Sequence, residues 1–358
     1  MKSEYYRFFS KLFLFLSPFI ILIVIELFIF PIDKFTFRFY ETLRVGYFDK
    51  EIRGPFYPNQ KLCKLEQGDL APNTNFSVNR KILTCIDNYG FRKCSEKKKF
   101  DVVIIGDSFI WGSNLSQDEM LSEVLEKRTG MSVYPYAPSD INKFLTDKRF
   151  IENPPKIVIV NSVERYFCEL PEIKGEFINN SYESIYNLWQ EFDGLQNVAV
   201  TLDRIRDSRM YNYTRKRLFG IISSRLYVKR SKMLFLQGEI ANKEVSLAQK
   251  NKYISIIKQY DNYFKSKGIK FIFLPIPNKE NIYFKDLNGK QNPPLLNEMI
   301  AELNLSKIKV VDLQSKFKSA YERGGIQLYH TDDSHWNING VNIAAQNLDS
   351  IIKSYNYE

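Results

Sequence analysis

A serine and a histidine, far apart in the chain, are the residues best suited to chemistry. Ser108 closes a Gly-Asp-Ser sequence that directly follows an apolar run. The chain contains 2 histidines, His330 and His335, and both lie near its C-terminal end. A serine nucleophile needs a base with a pKa near the working pH, and histidine meets this requirement. The two stretches together predict acyl transfer through a serine ester.

A histidine base also needs a carboxylate that fixes its tautomer and stabilises the imidazolium. Asp332 and Asp333 both precede His335 closely, and their spacing leaves either one as the partner. The competing interpretation is an ordinary turn at Ser108 and a polar loop before the last helix. The absence of histidine elsewhere favours the catalytic interpretation. No pattern resembles a metal site or a phosphate-binding loop, so we expect neither metal nor cofactor.

The residues around Ser108 predict where its side chain lies. Residues 102–105 are four β-branched apolar residues, which is typical of a strand buried on both faces. Gly106 permits a tight turn after this strand. Ser116 and Glu119 form a capping-box pattern ahead of a helical segment. We therefore expect Ser108 above the carboxyl end of a strand, the usual ligand position in open α/β sheets.

From residue 100 onward, strand and helix patterns alternate. The further predicted strands are residues 132–136, 156–160, 269–274 and 310–313. The predicted helices include residues 139–150, a long helix that ends near Gly268, and a closing helix at 338–355. This alternation predicts an α/β fold, a parallel sheet covered by helices on both faces. A chain of 358 residues is long enough for one such domain and attachments.

The N-terminal residues predict a membrane anchor. Residues 1–11 form a basic cytoplasmic tail, and residues 12–32 are apolar apart from three residues that include Glu26. Their length matches a transmembrane helix, and the basic flank predicts a cytoplasmic N-terminus. We expect a single-pass protein of the cytoplasmic (inner) membrane with everything after the helix outside. Glu26 is either a functional or partner contact within the membrane or reaches headgroups at the outer interface.

Residues 33–99 are predicted to form an extracytoplasmic linker segment, followed by a catalytic domain at residues 100–358. The linker holds Cys63, Cys85 and Cys94. Thiols outside the cytoplasm tend to be paired, so we expect one disulfide among these three. Cys168 is the candidate partner of the cysteine that remains.

Residues 171–245 interrupt the alternation and are interpreted as a helical insertion. Within them, residues 204–232 combine many basic residues with interleaved apolar ones, which predicts a basic amphipathic helix. The net charge of +10 suggests an anionic neighbour, and nothing in the chain resembles a nucleic-acid-binding motif. The insertion is expected to contact headgroups, an acidic glycan or a membrane partner, the alternative being a solvated helical excursion.

These motifs resemble those of the SGNH (GDSL-type) esterase and acyltransferase superfamily. The resemblance rests on the Gly-Asp-Ser block at Ser108 and on the Asp-Asp-Ser-His-Trp block that contains Asp332, Asp333 and His335. Residues 274–283 are also similar to a strand and loop of the membrane-anchored members that O-acetylate polysaccharides, including the alginate O-acetyltransferases. The resemblance implies a flavodoxin-like three-layer α/β/α fold and a Ser-His-Asp triad.

The chain departs from these relatives in three places. The histidine block follows the serine block here, whereas it precedes the serine block in alginate O-acetyltransferases. Ala137 stands where the second block of the family has glycine, and Asn161 begins a third block that lacks the Asn-Asp pair. The resemblance implies an oxyanion hole formed by the backbone N–H groups of Ser108 and Ala137 and by the side chain of Asn161.

Two classes of function follow from the sequence. The first is a membrane-anchored serine O-acyltransferase or esterase that acts on acyl groups of a cell-envelope glycan, with a simple GDSL carboxylesterase as a variant. The second is a non-catalytic accessory subunit of a membrane acyltransferase complex. Either class allows a multi-pass membrane protein as acyl donor and partner, and neither implies nucleic acid. The candidate Ser, His and Asp set favours the enzyme.

Overall fold

The computed structural model describes residues 2–24, 54–56, 58–72, 75–95, 97, 99–174, 225–228, 232–236, 245–287 and 295–355. The chain divides into two compact units. The first contains Met1–Glu51 and Tyr182–Ile222, and the second contains Ile52–Ser181 and Ser223–Glu358.

In the first unit the described element is helix α1, Lys2–Val24. Its segment Tyr5–Leu22 has a mean hydropathy of 1.3 and is long and apolar enough to cross a membrane. Large apolar side chains of this helix are exposed, which fits a helix whose surroundings are lipid. The described helix begins before the predicted span at residues 12–32, and residues 25–32 of that span, including Glu26, lie outside the described residues.

The second unit is built on a parallel sheet of five strands, in the order β4-β3-β5-β8-β9. These strands are β3 Val102–Ile105, β4 Val133–Tyr136, β5 Ile157–Val163, β8 Lys270–Ile276 and β9 Lys309–Val310. Counted along the chain, this is the 2-1-3-4-5 order of flavodoxin-like sheets. The predicted fold class is thereby confirmed. The order reverses between β3 and β5, so a ligand site is expected beyond the carboxyl ends of these two strands.

Helices cover both faces of the sheet, because alternate strand residues point to opposite sides. On one face, Val102 and Ile104 pack with α3 Leu121–Thr129, α9 Leu313–Gly324 and α10 Ile338–Ser354. On the other face, Val103 and Ile105 join a second cluster. Its helices are α4 Ile141–Thr146, α5 Lys148–Glu152, α6 Leu247–Ser266 and α8 Leu295–Leu305. The predicted helix at residues 139–150 is therefore two short helices, since Asp147 caps the second one.

Two antiparallel hairpins accompany the main sheet. The first pairs β1 Lys61–Glu66 with β2 Arg80–Cys85. The second pairs β6 Arg225–Val228 with β7 Met233–Leu236. Residues 225–228 are thus a strand, and the predicted basic helix is wrong there, because the Arg-Leu-Tyr-Val run pairs residue by residue with the Met-Leu-Phe-Leu run. Residues 204–224 and 229–231 of that predicted helix lie outside the described residues.

The described residues 54–56, 58–72 and 75–95 of the predicted linker belong to the second unit and include the hairpin β1–β2. Cys85 and Cys94 form a disulfide, which confirms the expected bridge among the three cysteines. Cys63 and Cys168 are free and exposed, so the suggested pairing of the remaining cysteine with Cys168 is wrong. The predicted domain boundaries remain predictions.

Candidate active site

Ser108 is the first residue of a short helix, α2 Ser108–Trp111, that directly follows β3. The Asp107 carboxylate accepts a hydrogen bond from the Phe109 N–H at 2.9 Å and caps this helix. Burial raises the pKa of the Asp107 carboxyl. Gly112 ends the helix in the left-handed region, with φ of 79°. The serine therefore sits on a tightly fixed turn at the carboxyl edge of the sheet.

Gly106 is required between the strand and this turn. A Cβ at Gly106 would lie 2.4 Å from Asn161 Oδ1 and 2.6 Å from Ile110 Cγ1. The absence of a side chain lets β5 bring Asn161 against the serine turn, where its Oδ1 accepts from the Asp107 N–H at 3.3 Å.

A continuous chain of hydrogen bonds joins Ser108, His335 and Asp333. Ser108 Oγ lies 2.6 Å from His335 Nε2, and His335 Nδ1 lies 2.5 Å from Asp333 Oδ1. Because a carboxylate can only accept, Nδ1 carries the proton and Nε2 is left to accept from the serine hydroxyl. The imidazole is buried and packs on the Phe109 ring at 4.6 Å between centroids. This is the geometry of a serine nucleophile with an oriented base.

The Asp333 carboxylate is held from several sides. Its Oδ2 accepts from the backbone N–H of Asp69 at 2.7 Å and from Asn114 Nδ2 at 2.6 Å. Its Oδ1 also accepts from the backbone N–H of His335 at 2.7 Å. These donors favour the ionised form and fix the direction of the oxygen that faces the imidazole.

Asp332 binds elsewhere. Its carboxylate pairs with the Arg80 guanidinium at 2.5 Å and accepts from the backbone N–H groups of Gly68 and Val78. The structure thus places Asp333 on the imidazole and Asp332 on the hairpin β1–β2. The spacing in the sequence left the two open, because the choice depends on donors that come from residues 68–80.

The second histidine takes no part in the hydrogen-bonded chain. Burial lowers the pKa of His330 to about 3, so its imidazole is neutral at ordinary pH. Its backbone N–H donates to the His335 carbonyl at 3.1 Å, which closes the turn that carries Asp332 and Asp333. Trp336 is fully buried and packs edge-on against Phe109, as a support beneath this loop.

The residues predicted for the oxyanion hole lie at the same edge of the sheet. Asn161 is in β5, and its Nδ2 contacts the Leu274 carbonyl only at 3.5 Å, the outer limit of a hydrogen bond. Ala137 is buried directly after β4, and Ser139 ties its loop to the Gly106 carbonyl at 2.9 Å. Their role in oxyanion binding stays a prediction.

Several site residues were not identified from the sequence. Asp69 and Asn114 orient Asp333, and Asp69 also accepts from Ser334 N–H and Oγ at 2.8 and 2.7 Å. They are single polar residues in loops, without a spacing signal.

Asp69, Asp333 and His335 would also offer three ligand atoms within 4.8 Å of one another to a metal ion. Those same atoms are engaged in the hydrogen bonds described above.

Arg92 holds the helix that carries Ser108. Its buried guanidinium lies over the Trp111 ring at 5.3 Å, and it follows Cys85 within the disulfide-closed loop. It donates to the carbonyls of Trp111 (3.0 Å), Gly112 (2.9 Å), Leu83 (2.8 Å) and Leu115 (2.7 Å), and to Gln117 Oε1 (3.3 Å). The carbonyl end of α2 is thereby satisfied by a permanent cation.

A third group of buried polar residues lies where β5 and β8 end. Glu164 accepts from the Asn278 N–H at 3.1 Å and from Asn281 Nδ2 at 2.5 Å. Burial raises the pKa of Glu164 to about 7. Arg165 lies beside this group, with its guanidinium carbon 5.8 Å from the Phe109 ring centroid. Buried polar residues thus also lie at the carboxyl ends of β5 and β8, with Arg165 near the residue that follows Ser108.

Comparison with known proteins places this geometry in a family context. Residues 230–357 match the family model described as ALGX, the SGNH hydrolase-like domain of the acetyltransferase AlgX. This region contains Asp333 and His335, whereas Ser108 lies before it. No curated protein matches the sequence.

Two solved structures are similar at low identity. A lipolytic protein of the G-D-S-L family from Desulfitobacterium hafniense DCB-2 is 13% identical, with 70% of this chain and 98% of that chain covered and a TM-score of 0.37. A second crystal structure is 11% identical, with 73% and 99% covered and a TM-score of 0.35. Likenesses of this size carry no conclusion about activity.

Proposed function

We propose that the chain is a serine O-acyltransferase or esterase that works through an acyl-enzyme on Ser108, which the match of residues 230–357 to the SGNH hydrolase-like domain of AlgX supports. The observation that carries this proposal is the hydrogen-bonded chain from Ser108 Oγ through His335 to Asp333. A serine nucleophile, a histidine base within hydrogen-bond distance and a buried carboxylate are the set that acyl transfer requires.

In the first half-reaction, Ser108 Oγ attacks the acyl carbonyl carbon while its proton passes to His335 Nε2. The imidazolium is stabilised by Asp333, whose position is fixed by Asp69 and Asn114. The C–O bond to the leaving alcohol breaks as His335 returns the proton to that oxygen. Our proposed oxyanion donors are the N–H groups of Ser108 and Ala137 and the side chain of Asn161. Each such donor lowers the barrier by about 3–4 kcal/mol.

In the second half-reaction an acceptor hydroxyl attacks the acyl-enzyme. His335 removes its proton, the ester bond to Ser108 breaks, and the serine oxygen regains the proton. Water as acceptor gives hydrolysis, and a sugar hydroxyl gives transfer. The same residues perform both reactions, so the choice depends on which hydroxyl the site admits.

The proposed substrate is an O-acyl group of a cell-envelope polysaccharide. The AlgX-type match supports acetyl transfer, and the apolar helix α1 supports an anchored enzyme whose domain faces outward from the cytoplasmic membrane. A multi-pass membrane protein that delivers the acyl group is the partner that this arrangement suggests. The basic balance of the chain fits an anionic surface or glycan nearby.

The test uses the full-length chain in detergent micelles with an acetyl ester as acyl donor, with and without an added polysaccharide acceptor. We expect ester cleavage and labelling of Ser108 by a fluorophosphonate probe. Ser108→Ala and His335→Ala should each lose activity by several orders of magnitude, and the double variant should be little worse than either. His330→Ala is the matched control and should keep most activity.

The outcomes separate the alternatives. Acetyl groups found on the polysaccharide indicate a transferase, and release of acetate alone indicates an esterase. Full activity of Ser108→Ala, or no labelling of wild-type Ser108, would contradict the proposal and leave the non-catalytic accessory subunit as the better account.

A further inference from the structure

Lys279 is a completely buried lysine behind the loop that carries His335. It is the first residue of helix α7, Lys279–Ile282, which follows β8, and Asn278 occupies the N-cap position. Its ammonium group donates to the backbone carbonyls of His330 (2.6 Å), Leu234 (2.8 Å) and Asp333 (3.0 Å), with Thr331 at 3.4 Å. A buried ammonium group is tolerated only when its protons are bonded in this way.

Three of these four carbonyls belong to one loop. Residues 330–333 immediately precede His335, and they include Asp333, whose side chain orients the imidazole. The fourth carbonyl belongs to Leu234 of β7, whose own N–H donates to the Thr331 carbonyl at 2.8 Å. Lys279 therefore fixes the backbone of the Asp333–His335 loop against β7 and β8.

The charges around Lys279 act in opposite directions. Burial, the largest effect, lowers its pKa to about 8. The acidic groups that face it raise the pKa, namely Glu280 of its own helix, Asp332 and Asp333 of the histidine loop, and Asp69 of the N-terminal segment. His330, which belongs to the same loop, is neutral. Lys279 can thus lose its proton at a moderately alkaline pH, unlike an exposed lysine.

We propose that the Lys279 ammonium group is a positioning residue for Asp333 and His335, and that it holds their loop only while it is protonated. This proposal rests on the proposed function of Ser108. The protonated group has three N–H donors for its closest carbonyls, whereas a neutral amine has two and turns a lone pair toward the third. Deprotonation therefore leaves one buried carbonyl without a donor and releases the loop.

A purely structural role would give a different result. In that case, loss of the ammonium group would lower the melting temperature, but the folded molecules would label at Ser108 with the wild-type rate and pH dependence. A positioning role changes the rate at Ser108 in molecules that remain folded. The rate of Ser108 labelling as a function of pH is therefore the measurement that separates them.

The experiment compares full-length wild type with Lys279→Met, Lys279→Arg and Lys353→Met in detergent. Lys353 is the matched control, because it is an exposed lysine paired with Asp349 in the last helix. A fluorophosphonate probe measures the labelling rate of Ser108 from pH 6 to pH 10, and circular dichroism reports the folded fraction at each pH. Hydrolysis of an acetyl ester supplies kcat and KM.

We expect the wild-type rate to fall above a pH of about 8 while the circular dichroism is unchanged. Lys279→Met should be labelled at Ser108 at least tenfold more slowly than wild type at pH 7, and its labelling rate should not decline at alkaline pH. In ester hydrolysis the loss should appear in kcat rather than in KM. Lys279→Arg keeps its charge, so it should exceed Lys279→Met at pH 7 and stay level up to pH 10. Lys353→Met should match wild type.

Two results would overturn the proposal. One is a wild-type rate that stays level from pH 8 to pH 10, a measurement that does not depend on any variant folding. The other is a folded Lys279→Met protein that labels as fast as wild type. By contrast, no labelling of wild-type Ser108 at any pH would overturn the proposed function itself.

Discussion

The two halves of the candidate site are each held by a buried cation, but the two cations differ in chemistry. Arg92 binds four backbone carbonyls and a glutamine around the helix of Ser108, and Lys279 binds the carbonyls of the loop that carries His335. A guanidinium stays protonated at every accessible pH and presents its donors in a rigid fork, whereas a buried ammonium group can be neutralised.

This difference between the two cations indicates which half of the site responds to pH. The serine half is fixed by a permanent charge on a loop that a disulfide closes, and we expect its geometry to be insensitive to alkaline pH. The histidine half depends on Lys279, whose burial brings its pKa to about 8. An alkaline loss of activity should therefore originate in the histidine loop.

The largest expected effect concerns the two neighbouring aspartates of the histidine half. Asp333→Asn replaces the acceptor of the imidazole proton by an amide and favours the wrong tautomer, so kcat should fall by about 10⁴-fold. Asp332→Asn is the matched control, because Asp332 binds Arg80 rather than the imidazole. It should keep activity within about tenfold while losing about 1–3 kcal/mol of stability. Ester hydrolysis and thermal unfolding measure both, and equal losses of kcat would contradict the assignment of Asp333.

A smaller effect is expected from the serine half. Arg92→Lys keeps the charge but cannot reach all the carbonyls that the guanidinium fork bonds, so stability should fall by about 2–4 kcal/mol. The labelling rate of Ser108 should fall at all pH values alike, in contrast to Lys279 variants. Arg128→Lys, at an exposed position in α3, is the control and should leave both quantities unchanged. If the labelling rate of Arg92→Lys showed a pH dependence that wild type lacks, the proposed difference between the two halves would be contradicted.

The smallest expected effect is on stability alone and involves Glu164, which lies against helix α7. Glu164 bonds Asn278 and Asn281 there, and burial raises its pKa from the ordinary 4.5 to about 7. Between these pH values the folded state holds a proton that the unfolded chain has released, so this group's contribution to stability falls as the pH rises. Glu164→Gln removes the dependence.

The Glu164→Gln protein should therefore gain about 1–3 kcal/mol relative to wild type between pH 5 and pH 8. Urea unfolding at both pH values measures this difference. Glu152→Gln, at the exposed last position of α5, is the control and should follow wild type. A constant difference between Glu164→Gln and wild type across this range would show that Glu164 does not titrate there.

Several features of the fold follow from local sequence. The β-branched run at residues 102–105 predicts a buried strand, and the alternation after residue 100 predicts the parallel sheet, because periodicity reflects which faces are covered. The closing helix was predicted at 338–355 and is observed as Ile338–Ser354. The presence of only 2 histidines, both in one stretch, and the Gly-Asp-Ser turn were enough to identify Ser108 and His335 as candidates.

Other features depended on contacts between distant residues. Asp333 faces the imidazole and Asp332 does not, because donors from residues 68–80 and Asn114 surround them in space. The roles of Arg92 and Lys279 are set by backbone carbonyls, which every residue has and which leave no mark in the sequence. The strand at residues 225–228 formed because a partner strand was available, which overrode a helical charge pattern. Local propensity determined the elements, and only tertiary structure decided which polar groups meet.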